Sequence, residues 1–279
     1  MRFLLTVSRP RFWFYLFGPY IVGLIAGISD RSALLDWRYL AFGVYFLLPA
    51  NLLVYGVNDI FDYETDILNP KKADYESLVT PESRRRLFDW IMGLNLPFIV
   101  LAAGLFDVRS FTVMQTFIFL SLFYSSPPIR AKTKPFLDSA FNILYAMPGI
   151  FAFCITAGVM PPTRIIVAAG LWTAAMHAYS AVPDIEADRE AGLHTIATIL
   201  GGNLTIALCL VLYIAAAILA ADDLGIVSLG LGIAYALLML ASFVSLKNGR
   251  LLNLYSRFPL VNVVAGAIIF WQIALTKLL

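Results

Sequence analysis

The chain has 279 residues, 60% of them hydrophobic and only 14% charged, with a mean hydropathy of +0.81. Apolar surface on that scale cannot be hidden in one soluble core, so the sequence predicts a polytopic membrane protein. The net charge of +2 and the scattered 20 Lys and Arg argue against nucleic acid as a partner, and Cys154 and Cys209, isolated in apolar runs, point to neither a disulfide nor a metal cluster.

The N-terminal stretch carries Arg2, Arg9 and Arg11 around the start of an aromatic run, and no small-residue cleavage site follows within signal-peptide range, so it reads as mature sequence. Apolar segments of the length a bilayer demands then recur at 12–28, 39–57, 88–105, 111–125, 139–158, 165–182, 204–221, 224–246 and 260–278. The expected fold is an all-α membrane bundle of about nine transmembrane helices, a single domain over 1–279.

With the N-terminus in the cytoplasm, 15 of the 20 basic residues fall on the inner side: Arg2, Arg9, Arg11, Lys71, Lys72, Arg84, Arg85, Arg86, Arg130, Lys132, Lys134, Arg189, Lys247, Arg250 and Arg257. Only Arg31, Arg38, Arg109, Arg164 and Lys277 are left outside. The positive-inside rule therefore places the N-terminus and the loops after the even-numbered spans on the cytoplasmic face of the cell membrane. The long acidic loops share that face.

The second span runs directly into Tyr55-Gly56-Val57-Asn58-Asp59-Ile60-Phe61-Asp62-Tyr63-Glu64-Thr65-Asp66. Continued as helix, this stretch sets Asp59, Asp62 and Asp66 at i, i+3 and i+7, with their carboxylates on one face and within reach of a common divalent cation. After the sixth span, Asp184 and Asp188 stand one helical turn apart in a second acidic cluster. Each cluster follows an aromatic and small-residue helix end, Tyr55-Gly56 or Tyr179-Ser180. Four spans separate them, so a parallel internal repeat, two four-helix halves plus one helix, would bring them face to face.

Oxygen-rich sites suit Mg2+, which is shared readily between a few carboxylates and a substrate phosphate. A diphosphate between the clusters also needs cations, and Tyr124-Ser125-Ser126-Pro127-Pro128-Ile129-Arg130-Ala131-Lys132 supplies Arg130 to fork onto phosphate oxygens and Lys132 to add a point charge. So held, the diphosphate becomes a good leaving group, and its organic fragment sits in a dry, aromatic-lined bundle.

Plainer readings share these residues. A pair spaced like Asp184 and Asp188 is common on solvated helices, and Arg130 and Lys132 also serve as inner-face anchors, the role assigned to Arg84-Arg85-Arg86. Glu64, Glu186 and Glu190 fit the surroundings of a metal or plain solvent, and His177 and Tyr179 fit either helix packing or substrate contact. A transporter would also place charged residues near membrane helices, but at mid-membrane depth in broken helices, whereas these acids cluster at helix ends.

The run Asn58-Asp59-x-x-Asp62-x-x-x-Asp66 resembles the first aspartate motif of the UbiA superfamily of intramembrane prenyltransferases, and Asp184-x-x-x-Asp188 its second. Nearly the whole chain follows that pattern. The resemblance implies Mg2+-dependent transfer of a prenyl group from an allylic diphosphate to a hydrophobic acceptor in the membrane. Carried over residue by residue, Asn58, Asp59, Asp62 and Asp66 hold one metal and the diphosphate, Asp184 and Asp188 hold the other metal, and Arg130 and Lys132, with Tyr124 beside them, hold the phosphates.

A narrower likeness concerns the acceptor. The stretch 55–72, Pro135-Phe136-Leu137-Asp138, Asp188-Arg189-Glu190-Ala191-Gly192 and Ser8-Arg9-Pro10-Arg11-Phe12-Trp13 are similar to the lycopene elongase branch, which builds C50 carotenoids. That likeness implies dimethylallyl diphosphate as donor and the end of lycopene as acceptor. The donor ionises to an allylic cation, the terminal double bond attacks it, and the new tertiary cation is quenched by proton loss or by water. Aromatic faces such as Tyr55, Phe123, Tyr124 and Trp172 are candidates to stabilise the cation. Related enzymes prenylate quinone precursors, chlorophyllide or archaeal glycerophosphate lipids, so those acceptors are the alternatives to the polyene.

Overall fold

The computed structural model describes residues 2–63 and 79–278. In chain order the helices are α1 (Arg2–Val7), α2 (Phe14–Gly27), α3 (Trp37–Leu47), α4 (Pro49–Phe61), α5 (Pro81–Leu105), α6 (Val108–Ser125) and α7 (Leu137–Ala140). They continue as α8 (Met147–Ala157), α9 (Thr163–Ala181), α10 (Ile185–Glu190), α11 (Ile196–Lys247), α12 (Leu251–Tyr255) and α13 (Phe258–Leu278). No strand occurs among the described residues, as the all-α expectation requires. Two compact units form, one from Met1–Arg130, Met147–Met160 and Ile273–Leu279, the other from Ala131–Ala146 and Pro161–Gln272.

In the first unit, α3 and α4 make one apolar stretch, Trp37–Phe61, of 25 residues. At 1.5 Å per residue it reaches about 37 Å, enough to cross a bilayer core. Pro49 falls at the first turn of α4, where a missing N–H costs least, so the chain resets at Leu48 without losing the span. Helices α2 and α8 touch backbone to backbone. A Cβ on Gly23 would collide with the carbonyl oxygen of Gly149, and one on Gly149 would lie 2.8 Å from the carbonyl oxygen of Pro19. Small residues that admit such close approach are the usual currency of helix pairing in lipid, where no hydrophobic gain separates helix from solvent. Around this seam Phe42, Tyr45, Phe46, Phe98, Phe117 and Phe151 interlock, with Phe42 and Phe151 centroids 5.0 Å apart and Phe46 and Phe117 at 5.5 Å.

In the second unit, α9 packs along α11. The rings of Tyr213 and Tyr235 stack at 4.4 Å, Trp172 meets Tyr235 edge-on at 6.0 Å, and the Tyr235 hydroxyl donates to Asn262 Oδ1 at 2.8 Å. The 52-residue α11 is interrupted at Gly201 and at Gly225, whose φ values of 74° and 55° lie in the left-handed region that favours glycine. Arg164 Nε donates to Asp223 Oδ2 at 2.6 Å beside the second break, and Gln272 Nε2 donates to the Leu224 carbonyl oxygen at 2.8 Å.

All nine expected apolar segments fall on helical structure. By length and apolar character, five stretches among the described residues qualify as able to cross a membrane, some of them joining more than one helix: Trp37–Phe61, Pro81–Leu105, Leu137–Ala157, Ile196–Lys247 and Leu251–Leu278. The difference has local causes. The expected spans 204–221 and 224–246 run together through the Gly225 turn. Helix α2 is apolar but short, and α6 and α9 are diluted by Thr112, Gln115, Thr116 and Ser121 and by Arg164, Thr173 and His177.

Candidate active site

The first acidic motif sits at the C-terminal end of α4. That helix stops at Phe61, and Asp62 caps it with φ −108° and ψ 8°, so the helix expected to run on from Asp59 is interrupted at Asp62. Asp66, Glu64, Lys71 and Lys72 lie outside the described residues. Asp59 and Asp62 are buried, at 1% and 9% exposure. Two buried carboxylates at the negative end of a helix dipole form a site that must draw cations.

Two guanidinium groups stand beside these carboxylates. Arg9 Nη2 donates to Asp59 Oδ1 at 2.8 Å, and Arg130 Nη2 stands 3.8 Å from Asp62 Oδ1. Arg9 also lies over the ring of Tyr55, 5.0 Å from its centroid, and Arg84 lies 5.4 Å over Tyr63. The ring of Tyr55 thus faces an arginine of the chain. Asn58 Nδ2 donates to Ser125 Oγ at 3.1 Å, which ties the motif to the end of α6, where Tyr124 is half-buried. Lys132 is half-buried in the short Ala131–Thr133 turn, which belongs to the second unit.

The second acidic motif is built by α10. Asp184 is exposed at its N-cap, and the Asp188 backbone N–H donates to the Asp184 carbonyl oxygen at 2.8 Å, so the two carboxylates do sit one turn apart. Asp188 is half-buried and accepts a long hydrogen bond of 3.4 Å from Thr195 Oγ1. Burial and then the like charge of Asp184 push the Asp188 carboxyl up to about 6.

Behind it lies Asp138, fully buried. Its Oδ1 accepts from Ser139 N at 2.9 Å and its Oδ2 from Ile196 N at 2.8 Å, with His177 Nε2 3.9 Å away. Asp138 therefore ties α7 to the first turn of α11, where Thr195 and Thr198 form a reciprocal cap. This carboxylate had no assigned role in the sequence, since only its contacts across 58 residues reveal one.

The donor set fits Mg2+. Every candidate ligand is a hard carboxylate oxygen, and the first pair already attracts positive charge. Among the described residues no group of three or more His, Cys, Asp or Glu is placed to hold a metal alone.

Comparison with known proteins places the chain in a family. The chain is 39% identical over 277 residues to the lycopene elongase/hydratase of Haloferax volcanii, covering 96% of this chain and 87% of that one. It is 36% identical to the lycopene elongase/hydratase of Halobacterium salinarum, covering 96% and 95%. The fold matches a UbiA homologue from Archaeoglobus fulgidus solved with GPP and Mg2+, with a TM-score of 0.74 and 23% identity over 97% of this chain and 99% of that one. The same homologue solved with DMAPP and Mg2+ matches at 0.69. The model of the UbiA prenyltransferase family matches residues 16–257, and the chain belongs to that family.

Proposed function

We propose that the protein transfers a dimethylallyl group from dimethylallyl diphosphate to the end of lycopene in C50 carotenoid synthesis, with Mg2+ as cofactor. The observation that carries this reading is the 39% identity, sustained over 96% of the chain, with a lycopene elongase/hydratase. The basic-residue distribution supports a cytoplasmic N-terminus and a site at the cytoplasmic face of the cell membrane.

On this reading Asp59 and Asp62 with Asp66, and Asp184 with Asp188, hold two cations. When bound, Mg2+ neutralises the charge that builds on the departing diphosphate. Asn58, fixed by Ser125, orients the first motif, while Arg130, Lys132 and Tyr124 contact the diphosphate. Arg130 would exchange its loose 3.8 Å contact with Asp62 for phosphate oxygens. Departure of diphosphate breaks the allylic C–O bond. The terminal double bond of lycopene then forms the new C–C bond, and the resulting tertiary cation loses a proton or gains water with loss of a proton.

Expression in a lycopene-producing host tests the proposal. New C45 and C50 pigments are expected, and a product heavier by one water identifies hydration at the new end. Unchanged lycopene together with turnover of dimethylallyl diphosphate on a quinone precursor, chlorophyllide or glycerophosphate lipid would overturn the choice of acceptor.

A further inference from the structure

Arg9 is held more firmly than a simple inner-face anchor requires. Its backbone sits at φ 50° and ψ 70°, in the left-handed region that a residue with a Cβ avoids. The turn around it is pinned on both sides. Trp13 Nε1 donates to the Ser8 carbonyl oxygen at 3.1 Å and to Ser8 Oγ at 3.2 Å, and Phe12 N donates to the Arg9 carbonyl oxygen at 2.8 Å. From this turn the side chain, only 16% exposed, reaches the face of Tyr55 and the carboxylate of Asp59. Tyr55 and Asp59 are four residues apart on α4 and so share a face.

We propose that Arg9 is an exchangeable counter-ion. It occupies Asp59 in the metal-free protein and yields that carboxylate when a divalent cation binds. Still resting on Tyr55, it then turns its guanidinium to the diphosphate that arrives with the cation. This rests on Asp59 being a metal ligand, as argued above. Two physical facts support the exchange. A carboxylate at 1% exposure favours a positive charge beside it, and Arg9 supplies one at 2.8 Å. The Tyr55 ring offers Arg9 a second attractive contact that is independent of Asp59, so the arginine keeps a resting place once the carboxylate is taken. A guanidinium is also the side chain best shaped to pass from one carboxylate to a phosphate, since both accept its fork.

The test uses the wild-type protein in detergent and reads the rate at which phenylglyoxal modifies Arg9, by peptide mass spectrometry. Mg2+ alone is expected to raise that rate about fivefold or more by displacing Arg9 from Asp59, and further addition of inorganic diphosphate to lower it again. In Asp59→Asn the rate should be indifferent to Mg2+. Binding of Mn2+, followed by the electron paramagnetic resonance of the free ion, separates the two ideas. If Asp59→Asn binds Mn2+ like the wild type, Asp59 is not a ligand and the underlying reading fails. If Asp59→Asn loses Mn2+ but Mg2+ leaves the wild-type Arg9 rate unchanged, the exchange alone is wrong and Arg9 is a fixed anchor.

Discussion

Asn58 and Ser125, 67 residues apart, are joined by a hydrogen bond of 3.1 Å that fixes the last turn of α4 against the end of α6. The adjoining Asp59 belongs to the same turn of α4. Replacing Ser125 by Ala removes the acceptor, at a stability cost of about 1 kcal/mol. The larger expected effect is a several-fold rise in KM for dimethylallyl diphosphate, measured with radiolabelled donor, because a loosened Asn58 orients the motif less well. Ser125→Thr, which keeps the hydroxyl, should restore KM.

The two aspartates of the first motif should respond differently to truncation. Asp59→Ala strips a 2.8 Å partner from an arginine that is 16% exposed, and loss of one member of a buried pair costs about 3 kcal/mol. Asp62→Ala removes a 3.8 Å contact to an arginine that is 42% exposed, worth within about 1 kcal/mol. Both variants should lower kcat/KM by about 100-fold or more. Thermal unfolding without metal separates them, with Asp59→Ala clearly below Asp62→Ala. Equal Tm values would contradict the difference in burial.

Chelation provides a complementary check on the donor set. Addition of a chelator should stop turnover of dimethylallyl diphosphate, and excess Mg2+ should restore it, since carboxylate oxygens offer no reason for a soft metal. Turnover that persists after thorough chelation would rule out the metal role of both aspartate motifs.

Much of this site is legible in the sequence because its motifs are local. Asp59 and Asp62 stand out by their spacing at the end of a span, and Asp184 and Asp188 by their spacing together with their place after the sixth span; α10 does set the second pair one turn apart. The end of α4 at Phe61 is not legible, since nothing in Phe61-Asp62-Tyr63 breaks a helix by propensity; the carboxylates at its negative end meet arginines from elsewhere, Asp59 at 2.8 Å and Asp62 at 3.8 Å. Arg9 and Asp138 escape the same way. Their partners lie 50 and 58 residues off, and a side chain whose role is to meet a distant group carries no periodic signal. The glycines Gly23 and Gly27 do stand four apart in α2, yet that spacing acquires meaning only with Gly149 and Thr156 opposite.

That glycine seam makes a prediction free of the chemistry. Gly23→Ala and Gly149→Ala each insert a methyl group where the opposing backbone already touches, and overpacking of this kind costs about 1–3 kcal/mol. Gly18→Ala is the control within α2, because a Cβ there meets nothing within 4 Å and alanine favours helix by up to about 1 kcal/mol. Thermal unfolding in detergent should show the first two lowered and the third unchanged or raised. A Gly23→Ala protein as stable as the wild type would mean that α2 and α8 slide apart without penalty.

The second motif carries a pH dependence whose sign follows from its burial. The Asp188 carboxyl is raised from 3.8 to about 6, first by burial and then by Asp184, with Asp138 adding to both and the Thr195 hydroxyl opposing them. A raised carboxyl value means that the folded protein binds this proton more tightly than the unfolded chain does. The resulting stability is complete below pH 3.8 and is lost as the pH rises through about 6. Metal-free protein should therefore lose thermal stability across that window, and Asp188→Asn, which cannot ionise, should lose less. Asp184→Asn removes the like charge and should move the wild-type transition to lower pH. Mg2+ competes with the same proton, so its stabilising effect on the wild type should grow as the pH rises through about 6. A Mg2+ effect that is flat across this range would mean that Asp188 does not meet the cation.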